Sequence, residues 1–145
     1  MNNRWILGRP GSGKTKEAVR HFISGNKERV FFSLGCSKDE LMKTYNIDET
    51  YKDIIFDNCM DMASIIKTIW NCNKEIDCVI IDNLQLIQDL DLKILINFLN
   101  NKDITLTLVS QVDKDGEIIY ENIIIKETRG LFKWRIKVPY DNRYQ

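Results

Sequence analysis

Residues 8–15 read GRPGSGKT, and the chain's chemistry concentrates there. The octet satisfies the pattern G-x-x-x-x-G-K-[ST]. Gly8, Gly11 and Gly13 let the backbone turn tightly, so that its amides converge on phosphate oxygens, and Arg9, Pro10 and Ser12 complete the loop. A helix starting near Thr15 adds its positive end. Lys14 is a point charge for the β- and γ-phosphates, and the Thr15 hydroxyl is a ligand for Mg²⁺. The octet therefore predicts a site for ATP and Mg²⁺ lined by Gly8, Arg9, Pro10, Gly11, Ser12, Gly13, Lys14 and Thr15. A chance glycine-rich turn is the competing reading. The apolar run before the loop and the helical pattern after it weigh against that.

A phosphate loop needs an acid at the end of a buried strand. The stretch CVIID at 78–82 offers one, with four apolar residues and then Asp82. Taken alone, an aspartate closing a strand is most often a turn or cap residue. Beside the loop it reads as a carboxylate that holds Mg²⁺. Thr15 and Asp82 are thus the expected metal residues. Cys36, Cys59, Cys72 and Cys78 show no C-x-x-C spacing, and the single histidine, His21, is far from them in sequence. Buried thiols in a reducing compartment are expected, not a zinc site. His21 itself reads as a surface or groove residue on the helix after the loop.

The elements that must position these residues follow from periodicity. Apolar runs at 5–7, 30–34, 53–57, 78–81 and 104–109 predict strands. Helical spacing predicts helices over 15–23 and 37–45, another carrying Met62, Ile65, Ile66, Ile69 and Trp70, and another carrying Ile87, Leu90, Ile94, Leu95 and Phe98. Ser37 with Glu40 has the spacing of a capping box. Strands alternating with helices imply a parallel sheet between helical layers. Two last strands, 118–126 and 131–138, are joined by a connection too short for a crossover, which predicts an antiparallel hairpin. In the second of them Phe132, Trp134, Ile136 and Val138 alternate with Lys133, Arg135 and Lys137, as in an ordinary half-exposed strand. The expected architecture is a three-layer α/β domain with a mainly parallel sheet and a C-terminal antiparallel hairpin.

Bulk composition sets the frame. The chain has 145 residues, 43% hydrophobic and 29% charged. That length suits one domain, 1–145, and buries roughly 68–70% of the unfolded surface, enough for a core without disulfides. Lys plus Arg and Asp plus Glu number 21 each, so there is no global attraction to nucleic acid. No apolar run reaches spanning length and no signal-peptide core is present, so no membrane association and a cytoplasmic location are expected.

Four stretches together resemble the RecA-like ATPase core of the DnaB-type hexameric replicative helicases. GRPGSGKT is close to that family's phosphate loop. FFSLGCSKDEL, 31–41, resembles its F-S-L-E-M-S segment, CVIIDNLQLI, 78–87, its I-D-Y-L-Q-L motif, and LVSQVD, 108–113, its L-S-Q-L strand end. KETRG, 126–130, resembles a degenerate form of its K-Q-R-N-G hairpin. The stretches keep the family's order, and IDNLQLI is the most specific.

The resemblance implies a RecA-like P-loop fold, ATPase activity in DNA replication or recombination, and assembly as a homo-oligomeric ring or as a helicase subunit. Single-stranded DNA is then a candidate partner. Gln111 would sense the γ-phosphate. Arg129, with Lys126, would reach a neighbouring subunit's nucleotide as a finger, although the spacing here is three where the family has two. One departure matters: the family's water-orienting glutamate aligns with Gly35. The strand 30–34 is expected beside the loop's strand, with its end facing the γ-phosphate, so a glutamate restored at 35 is expected to raise turnover. A shortened DNA-gripping region and the missing acid favour a second reading, a non-catalytic accessory or inhibitory subunit.

Overall fold

The computed structural model describes residues 3–9, 11–24, 28–72, 75–87, 89–112 and 134–137. Strands and helices alternate: β1 Arg4–Gly8, α1 Lys14–Ile23, β2 Glu28–Ser33, α2 Lys38–Thr44, β3 Ile55–Phe56, α3 Met62–Trp70, β4 Ile76–Asp82, α4 Leu92–Asn100, β5 Thr105–Gln111 and β6 Trp134–Lys137. The strands form one sheet in the order β3-β2-β4-β5-β1-β6, and every pairing is parallel.

The alternation of side chains along each strand explains the layers. Trp5, Leu7, Val30, Phe32, Val79, Ile81, Leu106 and Leu108 point to one face, where Ile65 and Ile69 of α3 and Leu92, Leu95, Ile96 and Leu99 of α4 cover them. Ile6, Phe31, Cys78, Ile80 and Val109 point to the other, against Ala18, Val19 and Phe22 of α1 and Leu41 and Met42 of α2. Both faces are dry, as near-continuous apolar strands of a parallel sheet require. Trp5 is fully buried and donates its indole N–H to Ser110 Oγ at 2.9 Å, pinning β1 to β5.

The mixed α/β class and parallel sheet agree with the sequence reading, and three details differ. The expected strand 53–57 shrinks to Ile55–Phe56, because Asp48 caps a 3₁₀ helix, Glu49–Ile54, that takes its first residues. The last strand, Trp134–Lys137, lies parallel to β1 with Arg4 opposite Trp134 and Leu7 opposite Lys137. No antiparallel pairing occurs among the described residues; the expected partner strand, 118–126, lies outside them. Finally, β2 is not beside β1. It pairs with β3 and β4, and β4 and β5 stand between it and the loop's strand. Among the described residues no helix is long and apolar enough to cross a membrane.

Candidate functional site

The carboxyl ends of β1, β4 and β5 gather the predicted residues. The loop leaves β1 at Gly8 and enters α1 at Gly13, whose left-handed backbone (φ 88°) suits glycine. Gly11 is left-handed too (φ 74°). Ser12 N–H donates to Arg9 O at 3.1 Å and Glu17 N–H to Gly13 O at 3.0 Å, which closes the turn onto the helix. The Ser12 side chain presses on Gly8, where an added Cβ would lie 2.2 Å from Ser12 Oγ, so position 8 stays bare. Pro10 lies outside the described residues.

The first turn of α1 differs from those of its neighbours. Ser37 caps α2 by accepting from Glu40 N–H, Asp61 caps α3 by accepting from Ser64 N–H, and Asp91 caps α4 by accepting from Lys93 and Ile94 N–H. α1 has no side-chain cap. A helix start normally leaves its first amides without intrahelical partners, and these face the loop.

The first turn of α1, directly after the loop, meets the carboxyl end of β4. Thr15 Oγ1 donates to Asp82 Oδ2 at 2.9 Å across 67 residues of sequence. The Asn83 N–H donates to Asp82 Oδ1 at 3.0 Å, so both carboxyl oxygens are engaged. Asp82 is 1% exposed and Lys14 9%. Burial pushes the Asp82 carboxyl up to about 6, against the Thr15 hydrogen bond, the Lys14 charge and the Asn83 amide. Burial lowers Lys14 from its ordinary value, and the attraction of Asp82 opposes that. A buried ammonium beside a buried carboxyl that resists ionising fits a site whose charges are completed by a ligand.

Gln111 ends β5 directly opposite Gly8, and Val112 N–H donates to Gly8 O at 2.9 Å. The residue expected to sense phosphate thus starts from the strand next to the loop. Arg129 and Lys126 lie outside the described residues.

The end of β2 bears on hydrolysis. Ser33 is in register with Asp82, so Gly35 follows on the side of Asp82 away from the loop. Gly35 is left-handed (φ 79°), and an added Cβ would meet Leu86 Cδ1 at 2.8 Å. Asn83, itself left-handed (φ 58°), donates its side-chain amide to Leu34 O at 2.7 Å and ties this junction to the end of β4. A glutamate at 35 would meet both a strained backbone and Leu86. The positive φ is the condition under which the gain in turnover expected from a glutamate at 35 is masked by backbone strain. Asn83 and Leu86 escaped the sequence reading; the one signal was an asparagine, a residue tolerant of left-handed backbone, directly after the acid.

The residues present fit a phosphate–metal ligand. Ser12 Oγ is buried without a hydrogen-bond partner. Thr15 and Asp82 offer oxygen donors of the kind a hard cation takes. Among the described residues no three His, Cys, Asp or Glu side chains gather as a metal cage. Mg²⁺ commonly needs none, using one or two carboxylates with phosphate oxygens and water. No protein-family model matches the chain, and no curated protein matches it.

Proposed function

We propose that the chain is a Mg²⁺–ATP-binding protein with a RecA-like P-loop core, related to the ATPase core of DnaB-type replicative helicases and acting in DNA replication or recombination. The observation that carries this reading is the Thr15–Asp82 hydrogen bond beside buried Lys14: the fold joins two halves of the motif that lie 67 residues apart in the sequence. The uncapped first turn of α1 and the orphaned Ser12 hydroxyl support it. The parallel sheet between two helical layers is compatible with it.

In this reading the loop amides and Lys14 hold the β- and γ-phosphates, and Thr15 with Asp82 holds Mg²⁺. The metal, when bound, supplies charge neutralisation on the phosphates. Gln111 reports the γ-phosphate from the neighbouring strand. Arg129 acts on a neighbouring subunit's nucleotide.

A second reading, a non-catalytic accessory or inhibitory subunit of a helicase ring, is favoured by one observation. Gly35 is left-handed and exposed, and a Cβ there would meet Leu86 Cδ1 at 2.8 Å, so the position of the family's acid holds no carboxylate and strains any side chain. Orienting and deprotonating an attacking water commonly contributes about 10²–10⁴-fold. ATP turnover by the purified protein, with and without single-stranded DNA, separates the two. Turnover that rises with DNA and disappears in Lys14→Ala supports the ATPase. Tight binding without turnover under either condition supports the accessory role.

A further inference from the structure

The opposite end of the sheet holds a cluster that the nucleotide reading does not use. Arg4 opens β1, Arg29 lies at the start of β2, and His21 is in the last turn of α1. Arg4 Nη1 lies 3.2 Å and Arg29 Nη1 3.4 Å from the same atom, His21 Nδ1. Arg29 also donates to His21 O and to Ser24 Oγ, capping the carboxyl end of α1. Below the ring, Cys78 Sγ sits 3.8 Å from His21 Nε2.

The donors outnumber the acceptors. One imidazole lone pair faces two guanidinium groups and satisfies one hydrogen bond well. Arg29 Nε is buried with no hydrogen-bond partner among the described residues. Glu17, the acid whose charge reaches His21, is engaged by Arg20. Capping a helix end explains one guanidinium nitrogen, not two cations drawn together on a neutral ring. Buried or half-buried guanidinium groups are ordinarily matched by carboxylate or phosphate, whose paired oxygens fit the planar fork.

We propose that Arg4, Arg29 and His21 form an oxyanion site, distinct from the loop and at the other end of the sheet, that binds a phosphate group. The group's oxygens would take the spare N–H donors and offset the two cations. The depressed basicity of His21, caused by burial first and then by Arg29 and Arg4, agrees with a positive potential awaiting an anion. Inorganic phosphate and a nucleic-acid backbone present the same chemistry, and the proposal does not depend on the loop binding ATP.

The single histidine makes the test direct, because the protein has one imidazole to follow by proton NMR. Inorganic phosphate is titrated into the Lys14→Ala protein, which removes the charge on which phosphate binding at the loop depends, with chloride at matched ionic strength as control. The expected result is a saturable shift of the His21 ring signals and a rise in its pKa by about one unit or more. Arg29→Gln and Arg4→Gln should each abolish saturation, and either suffices if the other fails to fold. A short single-stranded oligonucleotide forms the second arm. Saturation at least tenfold below the inorganic phosphate concentration identifies a nucleic-acid backbone as the ligand, and no response to it leaves free phosphate. Signals that stay still in both arms, or that merely track ionic strength, overturn the proposal.

Discussion

Asp82 is held on both oxygens by Thr15 and Asn83, yet burial keeps its carboxyl near 6, whereas His21 is pushed down to about 4. Their effects on stability have opposite signs. A carboxyl raised from 3.8 contributes stability that is present below that value and lost as pH climbs through 6. A histidine lowered from 6.5 to about 4 must stay neutral to remain folded, so its contribution is lost as pH falls from 6.5 towards 4. Between about pH 4 and 6 the two oppose each other, and the metal-free protein should show a shallow pH dependence. Asp82→Asn removes one side. Its melting temperature, measured in EDTA, should climb more steeply from pH 4.5 to 6.5 than that of the native protein; parallel curves would show that Asp82 is not the raised group. Gly35 gives a second residue-scale test. Gly35→Ala should lower stability by about 1–2 kcal/mol from the left-handed backbone alone, plus the contact with Leu86. Adding Leu86→Ala should recover only the contact part in chemical denaturation, and full recovery would mean that the backbone carries no strain.

The start of α2 was legible in the sequence. Ser37 with Glu40 announced α2, and Ser37 does accept from the Glu40 amide. Helix α4 shows what periodicity misses. Ile87 and Leu90 fit its apolar spacing and are buried, but Asp91 caps the helix and starts it at Leu92, so both lie in the preceding turn. Ile94, placed by the same pattern on the apolar face, is 52% exposed, and Trp70 at the end of α3 is 67% exposed, with Lys102 over its ring. Spacing tells which residues share a stripe, not where neighbouring helices stop covering it. The caps also separate structure from function. Asp91→Ala should cost about 1 kcal/mol in denaturant unfolding, with nucleotide affinity unchanged. A matched loss of affinity would mean that α4 is coupled to the site.

Across the whole molecule, order in the sheet could not be read from order in the chain. The alternation of strands and helices announced a parallel sheet, and the loop, Lys14, Thr15 and Asp82 were each legible in the sequence. The placement of β2 was not, because local pattern carries no record of which strands are neighbours; two strands separate it from β1. The same topology sets the end of β4 beside the first turn of α1 and joins residues 67 apart. That junction is what the proposed nucleotide site rests on. Calorimetry of Mg²⁺–ATP binding to the native protein, beside Lys14→Ala and with EDTA as a control, tests it most directly. One saturable site per chain is expected, weakened at least tenfold by Lys14→Ala and by removal of Mg²⁺. Equal affinity in the native and Lys14→Ala proteins, or no binding heat in the native protein, would contradict it.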